Sequence, residues 1–598
     1  MGQPIHAGKG ESRLEERAVL LLLCFFPLSE YLATWFPWLR FILLAGILGA
    51  ASLSLIRSGV HPRPPLAGIL LVAWILIQVL RAPNWDRSVG LAETWGLAFL
   101  AGWLASRAAA QDPHFPLKVF ALLWFVASLL SAVNPGWQTP VADMEEMLRT
   151  QNLDEAYKQA VLHAASQNRY HFPFGNPIDL GVFLCLSLAI LPALWRVHRQ
   201  IRPSLIISLG LMFTAAVQIW VFWGTKSRTS LVGLVAAIGV WLAGKGWVRK
   251  RLILAGGVIL VVLAAALVVF PSGREMISRT ETIHARLIFW ETALRMVRDV
   301  PFLGYGVGGY GAHYPRYRDL TPHQTLYPHN LFLESMTDLG AVGVVLLVLL
   351  LIRYFRLHSA PIERQPPGME GIRLGGMAAL AAFFASVQFG FHQDMLYIAG
   401  IAAIIGGACL SRRPCQLLDQ APSQRVLVSL LLLFLFFPAC FREIGHARYE
   451  RAATAYEISG DPTTAGHEAG RAIQVWPPLS EAYLLLSSLA HERGDLAGAE
   501  ALLRKAIYWD PTTGNLHQSL AGLLWETGRQ EEALREIETA IALHPVRWDY
   551  HGQRSRWLFA LGRKQEAAIE REAGEALRQY EPRYEEARKM EGSSRENP

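Results

Sequence analysis

Between Ala18 and Phe441 the chain is divided into thirteen apolar runs, at roughly 18–36, 39–56, 66–81, 91–108, 116–133, 177–195, 203–223, 229–247, 252–270, 331–355, 372–392, 395–410 and 425–441. Each has spanning or near-spanning length. Nothing else in the sequence restricts the fold as strongly. Backbone placed in hydrocarbon must satisfy its own N–H and C=O groups, so runs of this kind are helices. The expected fold is all-α, beginning with a polytopic transmembrane helical bundle of about 12–13 spans. A hydrophobic content of 52% over 598 residues excludes an ordinary soluble multidomain chain. The run from Ala18 lacks a small-residue cleavage site and leads directly into further spans, so no cleavable signal peptide is expected.

The net charge of +7 sorts by side. Arg13 and Arg17, Arg57 and Arg63, Arg107 and Lys118, Arg196 to Arg202, Lys245 to Arg251, Arg353 to Arg373, and Arg412 with Arg413 share one face if the spans alternate. The positive-inside rule makes that face the cytoplasm and places the N-terminus there. The charge therefore reports membrane orientation, not nucleic-acid binding. The other face receives the loops 134–176 and 271–330 and the short turn around Lys226 and Arg228. An odd span count puts everything after 441 on that face, the periplasm of a bacterial cell; one span fewer would reverse this. All five cysteines lie in or beside apolar runs, which argues against a disulfide framework or thiolate metal site.

The hydrophilic tail repeats. Gly460, Gly494, Gly528 and Gly562 are spaced by 34 residues, as are Pro477, Pro511 and Pro545. Ala465, Ala499, Ala533 and Ala567, and Ala472, Ala506 and Ala540, keep the same register. Glycine in the turn, alanine where paired helices cross and proline at the end of the second helix resemble the tetratricopeptide repeat. The expected organisation is a membrane domain over 1–441, four repeats over 446–581 forming an α-solenoid that holds a protein partner, and a disordered tail over 582–598.

Candidate chemistry gathers on the face with the loops. Lys226 and Arg228 sit at the end of a span where positive charge is disfavoured, so an arginine there calls for an anion. In the main loop an amphipathic helix opens near Arg286, with an apolar stripe at Leu287, Trp290, Leu294 and Val297 and an ion pair between Glu291 and Arg295. A helix start favours acidic residues, which makes Arg286 conspicuous. The glycine-rich GYGVGGY that follows lacks both a preceding strand and the lysine of a nucleotide loop, and reads instead as a tight backbone turn against the membrane face. Glu275, Glu281, Glu291, Asp299 and Asp319 have no metal-ligand spacing; nor do His284, His313, His323 and His329. His329 follows Pro328 at the mouth of a span, where a neutral imidazole serves as a base. In loop 134–176 an amphipathic piece over 141–167 precedes Tyr170, Phe172 and Phe174, which suit an interfacial belt or a sugar-contacting rim. Asn176-Pro177 then marks a helix entry.

SRTSLVG, then RLIFWETALRMVRDVPFLGYGVGGY from Arg286, then HNLFLESMTDLGAVG from His329, resemble the O-antigen ligase/polymerase superfamily of membrane glycosyltransferases; FGNPIDLGVFLCLSLAILPAL resembles a further segment. The resemblance covers about 170–345 and implies a GT-C-like fold. It also implies metal-independent, inverting transfer of a glycan from an undecaprenyl-diphosphate carrier, without a cofactor, on the periplasmic face of the inner membrane. By motif, Arg228 and Arg286 take the diphosphate-binding positions and His329 that of the catalytic base. Lys226, Asn176, Asn330, Tyr305 and Tyr310 become candidate substrate contacts. The acceptor is left open between a glycan, lipid A-core and a protein. A transporter or non-enzymatic assembly scaffold is the alternative from another class. It is disfavoured because transport needs ionisable or broken elements inside the bundle, whereas the informative charges here lie at one face.

Overall fold

A computed structural model of the chain describes residues 13–35, 39–57, 60–62, 66–134, 170, 172–174, 177–201, 203–244, 280–320, 325–359, 370–390, 394–410, 417–419 and 422–578. The expected span at 252–270, the amphipathic piece over 141–167, the tail 582–598, Asn176 and His323 lie outside the described residues.

Apolar sequence becomes helix throughout. The first group is α1 (Arg13–Trp35), α2 (Leu39–Arg57), α3 (Leu66–Arg81), α4 (Trp85–Gln111) and α5 (Phe115–Val133). It is followed by α6 (Pro177–Ile201), α7 (Leu205–Gly224) and α8 (Arg228–Gly244). Next come α9 (Thr280–Asp299) and α10 (Gly309–Tyr317), then α11 (Leu331–Ser359), α12 (Glu370–Ser386), α13 (Leu396–Leu410) and α14 (Pro422–Glu457). The one sheet among the described residues is a short antiparallel ladder of β1 (Val60–Pro62) with β2 (Leu417–Asp419). Phe115–Val133, Pro177–Ile201, Leu205–Gly224 and Leu331–Arg353 are long and apolar enough to cross a membrane, and five shorter apolar helices accompany them. Their rim exposes Ile206, Phe213 and Trp223, each more than half accessible, as a lipid-facing surface requires.

Small residues draw the helices together. A Cβ at Gly407 would fall 1.9 Å from Gly102 O, so α4 and α13 meet backbone to backbone. The two ends of the bundle differ in chemistry. At one end Glu15 pairs with Arg107 (3.5 Å), and Lys118 with both Glu16 (2.6 Å) and Asp112 (2.9 Å), so ion pairs join α1, α4 and α5 there. At the opposite, loop end stand the α3–α4 turn, the Lys226 turn, α9 and α10.

The expected continuous span at 331–355 is broken. Gly340 adopts φ 66° and ψ −175°, a conformation essentially reserved for glycine, and divides α11 into 331–339 and 341–359. The segment Pro301–Gly308 packs into the break. Ala341 N–H donates to Pro301 O (2.9 Å), Tyr305 N–H to Thr337 O (2.8 Å) and Gly306 N–H to Asp338 O (3.0 Å). Asp338 completes the joint by accepting from Gly308 N (2.7 Å) and Tyr310 N (2.8 Å). A Cβ on Gly304 would lie 2.6 Å from Asp338 O and Gly340 N. The glycine run thus exists to bring loop backbone against helix backbone, as the turn reading expected.

The C-terminal part is a row of helix pairs. The end of α14 pairs with α15 (Pro462–Val475), α16 (Ser480–Glu492) with α17 (Leu496–Trp509), α18 (Gly514–Glu526) with α19 (Gln530–Leu543), and α20 (Trp548–Ala560) with α21 (Lys564–Arg578). Each periodic glycine holds positive φ, from 60° to 78°, where a chain reverses after a helix. The periodic alanines are buried at the crossings. A histidine latch recurs with the same period: His517 contacts Glu536 and Pro511 O, and His551 contacts Glu570 and Pro545 O. Helix α14 runs without interruption from the last apolar run into the first repeat, so the limit expected near 441–446 falls inside one helix.

Candidate active site at the loop end of the bundle

Arg228 begins α8 directly after a short turn. Ser227 caps the helix, its Oγ accepting from Ser230 N (3.2 Å) and meeting Ser230 Oγ (2.7 Å). The preceding Lys226 has φ 50°. Across from Arg228, α9 presents Arg286, whose Nη2 donates to Thr229 Oγ1 at 3.3 Å. Arg228, Thr229, Val232, Arg286, Leu287, Trp290 and Phe389 enclose a cleft of about 230 Å³. Its walls are almost wholly apolar, and Arg228 and Arg286 are among the residues that line it. Burial, and then the charge of Arg228, holds Arg286 below the usual arginine range. Two like charges on an apolar cleft of this size are an arrangement that an anion stabilises.

Helix α9 starts at Thr280, so Arg286 stands in its second turn and does not open it. The stripe also faces the other way from a core stripe. Leu287 and Leu294 are about half exposed, while Ala285, Phe289, Thr292, Ala293 and Met296 form the buried face. The helix lies with one apolar side on Tyr310 and Tyr314 and another turned outward, the pattern of a helix bedded in a membrane interface. Glu291 and Arg295 pair at 2.8 Å as expected, and Arg295 also grips Asp319 at 2.7 Å.

His329 is reached through this helix. Its ring stacks on Phe289 with centroids 5.8 Å apart, and its Nε2 is 3.5 Å from Thr325 Oγ1. Phe289 lies three residues beyond Arg286, so one helix face links the imidazole to the cleft. His329 has φ 54°. Among the described residues, Lys226 and His329 are the two non-glycine residues in the left-handed region. Each costs on the order of 1–2 kcal/mol, and strain of this type concentrates at functional sites.

The remaining sequence candidates are divided. Asn330 caps α11: its Oδ1 accepts from Phe332 N and Leu333 N (both 3.1 Å), and its Nδ2 donates to Gln388 O (3.3 Å). Tyr310 is buried in the core of the loop, its hydroxyl directed to Phe289 O. Tyr305 is half-buried, shares a hydroxyl hydrogen bond with Tyr317 (2.8 Å) and packs on His313. Burial, followed by Arg316, pushes His313 down to about 4. Lys226 is exposed beside the cleft. The aromatic rim is partly built in: Phe174 is buried against Phe183 and Tyr397, and Tyr170 fits where Gly224 has no side chain.

Sequence reasoning passed over Thr229, Phe389 and three buried carboxylates, Glu334, Asp338 and Asp394. Acids inside an apolar run were the available signal for Glu334 and Asp338. The informative charges are therefore not confined to one face of the molecule. Asp338 holds the glycine loop and Asp394 accepts from Trp95 Nε1 (2.9 Å), so these acids are tied into the protein.

A bundle of apolar helices with lipid-facing rims and a joined helical solenoid defines a multi-pass membrane protein carrying repeats. Within it, residues 213–348 match the family model described as O-antigen ligase, and 480–513 match the tetratricopeptide repeat. The chain is O-antigen ligase-like with C-terminal tetratricopeptide repeats, and the matched region holds both arginines, Lys226, His329 and the glycine loop. An uncharacterized protein of Haemophilus influenzae is 24% identical over 205 residues, 30% of this chain; the chain spans 51% of that relative's length. Among solved structures, MamA is 14% identical, covering 27% of this chain and 96% of its own, with a TM-score of 0.23. A mutant of the Thermobaculum terrenum O-GlcNAc transferase is 29% identical over 20% of this chain and 22% of its own, with a TM-score of 0.18.

Proposed function

We propose that this protein is an inverting, metal-independent glycosyltransferase of the bacterial inner membrane. It moves a glycan from an undecaprenyl-diphosphate carrier to an acceptor hydroxyl on the periplasmic side. The observation that carries this reading is the placement of Arg228 and Arg286 on one small apolar cleft next to an outward-facing apolar helix surface. Such a cleft suits a ligand with an anionic head and an apolar tail. The two guanidiniums bind the diphosphate oxygens and neutralise the charge that grows as the anomeric carbon–oxygen bond breaks. His329 takes the proton of the acceptor hydroxyl while that oxygen forms the new bond to the anomeric carbon; the carrier diphosphate leaves with the electron pair. The loop end of the bundle is then the periplasmic face, the basic end and N-terminus are cytoplasmic, and the membrane domain, solenoid and tail keep the limits 1–441, 446–581 and 582–598.

The test is a glycan profile of cells lacking the protein, complemented with wild type or Arg286→Ala. Restoration of long-chain glycan by wild type alone supports transfer. Single units left on carrier lipid identify a polymerase, polymer left on carrier a ligase, and an unglycosylated protein a protein oligosaccharyltransferase. A profile unchanged by the wild-type and the variant gene alike returns the protein to the transporter or scaffold class, for which the break at Gly340 and the buried carboxylates are the relevant features.

A further inference from the structure

The α3–α4 turn is a plate with the solenoid on one side and the glycine loop on the other. On the solenoid side, Asp86 is 8% exposed, and its Oδ1 accepts from Trp476 Nε1 (2.7 Å) and contacts His446 Nε2 (2.8 Å). Arg442 Nε donates to Asp86 O at 2.9 Å and lies 3.3 Å from its carboxylate. One repeat further along, Asn84 Nδ2 donates to Asp510 Oδ2 (2.9 Å), and Trp85 meets Trp509 with ring centroids 6.3 Å apart. Trp476 and Asp510 differ by the repeat period, so two successive repeats grip consecutive residues of the turn.

On the loop side, Ser88 Oγ donates to Val307 O (2.6 Å) and Gln78 Nε2 to Leu303 O (2.8 Å). Arg87 Nη2 donates to Leu326 O (2.9 Å), and its guanidinium covers the ring of Tyr327, two residues before His329. The middle of the loop touches the solenoid directly, where α10 packs on α19. Leu303, Val307, Leu326 and Tyr327 are thus held by α3 and α4, whose junction the solenoid grips, and α10 between them rests on α19 of the solenoid. Interactions of the charged, buried type at Asp86 are the strong class of hydrogen bond, and a loop so braced has few alternative positions.

We infer that the tetratricopeptide solenoid is a working part of the transfer site, holding the glycine loop at Leu303–Gly308 and the segment Leu326–His329 in place through the α3–α4 turn, with Asp86 as a positioning residue. The solenoid therefore stands on the side of the membrane where transfer occurs and is joined to the site it serves, not hung from a flexible linker. The inference rests on the transferase reading for its kinetic consequence but not for its structural one.

Full-length protein in nanodiscs, as wild type, Asp86→Asn and Trp476→Phe, is assayed for transfer and for hydrogen exchange over 302–311 and 325–330. The expected result for Asp86→Asn is a fall in kcat of about ten- to a hundred-fold, because displacements near 1 Å cost this much. Donor KM stays within about two-fold, because the arginine cleft is intact, and exchange of both loop segments accelerates. Trp476→Phe, which removes the indole N–H from Asp86 and part of the buried ring, leaves the Asp86 carboxylate with His446 and Arg442, moves the same quantities in the same direction by less, and serves if Asp86→Asn fails to fold. Unchanged loop exchange, or wild-type kcat with a loosened solenoid, overturns the inference. If wild type shows no transfer while the variants still free the loop, the functional reading fails and the positioning role stands.

Discussion

Arg286→Gln should make the donor-free protein more stable while removing its activity. The reasoning is electrostatic. A cleft of about 230 Å³ is roughly 7–8 Å across if treated as a sphere, which sets the scale of separation between the charges of Arg228 and Arg286. At an effective dielectric of about 20, two unit charges at that distance repel by about 2 kcal/mol, and solvent at the open side reduces this to about 1 kcal/mol. The depressed titration of Arg286, from burial first and Arg228 second, has the sign this repulsion requires. Glutamine keeps a donor for Thr229 Oγ1 and removes the charge. Relief of about 1 kcal/mol raises the melting temperature by only about 1 °C in a protein of this size. With donor present the order reverses: the lost charge-assisted hydrogen bonds are worth about 1.5–3 kcal/mol each, about a ten- to 150-fold loss in kcat/KM. Inorganic pyrophosphate should stabilise wild type, by about 2.7 kcal/mol at a hundred times its dissociation constant, and leave the variant unmoved. The assay is thermal unfolding in nanodiscs with and without pyrophosphate, beside a transfer assay with lipid-linked donor. A variant that melts lower than wild type without ligand, or that keeps wild-type transfer, would refute the reasoning and make Arg286 a structural cation.

Three further outcomes follow from the geometry. His329→Gly, at φ 54°, should gain about 1 kcal/mol of stability from released strain yet lose about 10²–10⁴-fold in kcat with donor affinity retained; equal losses in binding and turnover would remove His329 from the role of base. Gly340→Ala should destabilise the fold by more than about 3 kcal/mol, since the new Cβ would fall 2.2 Å from Phe302 O at a backbone angle closed to alanine; near-normal melting would mean that the loop does not enter the break as described. The last repeat should be pH-dependent: the hydrogen bond to Glu570 holds His551 above its ordinary 6.5, and the same bond holds Glu570 below 4.5. Stability from His551 is full below pH 6.5 and is lost as pH rises through its folded value, while that from Glu570 is present above 4.5 and is lost as pH falls through its own. Hydrogen-exchange protection over 548–578, taken relative to the intrinsic rate at each pH, should therefore be greatest between about pH 4.5 and 6.5, with the alkaline fall in protection absent in His551→Gln.

Periodicity was the legible part of this chain. Glycine every 34 residues required a left-handed backbone position at each turn, and the four glycines have it. Arg228 stood out because it runs against the orientation rule and Arg286 because it was expected to open a helix; the two line one cleft, although Arg286 stands in the second turn of α9. What escaped were consequences of distant packing. Leu287 and Leu294 had the spacing of a core stripe, but spacing cannot say which apolar face meets protein and which meets lipid. The run at 331–355 read as one span because Gly340 is locally harmless; only the loop from Pro301 makes it a break. Tyr310, a plausible sugar contact by composition, is buried because α9 folds over it. Asn84 to Asp86 gave no signal at all, as a short polar turn is the usual connection between two spans.

That unremarked turn answers a question that counting spans left open. The side of the solenoid depended on whether twelve or thirteen runs cross the membrane, and one of them lies outside the described residues. Contacts do not depend on parity. Asp86 and Asn84 stand at the head of α4, while Arg107, near its other end, belongs to the basic end of the bundle with Glu15. Because Trp476 and Asp510 bond to the head of that helix, the repeats sit at the end opposite the basic residues, and with α19 on α10 they sit at the same end as the arginine cleft. The continuous α14 requires the same arrangement, since a rigid helix delivers the first repeat directly from the bundle with no linker to carry it elsewhere. A solenoid fixed in this way presents its surface at the cleft's end of the bundle, where the proposed transfer takes place.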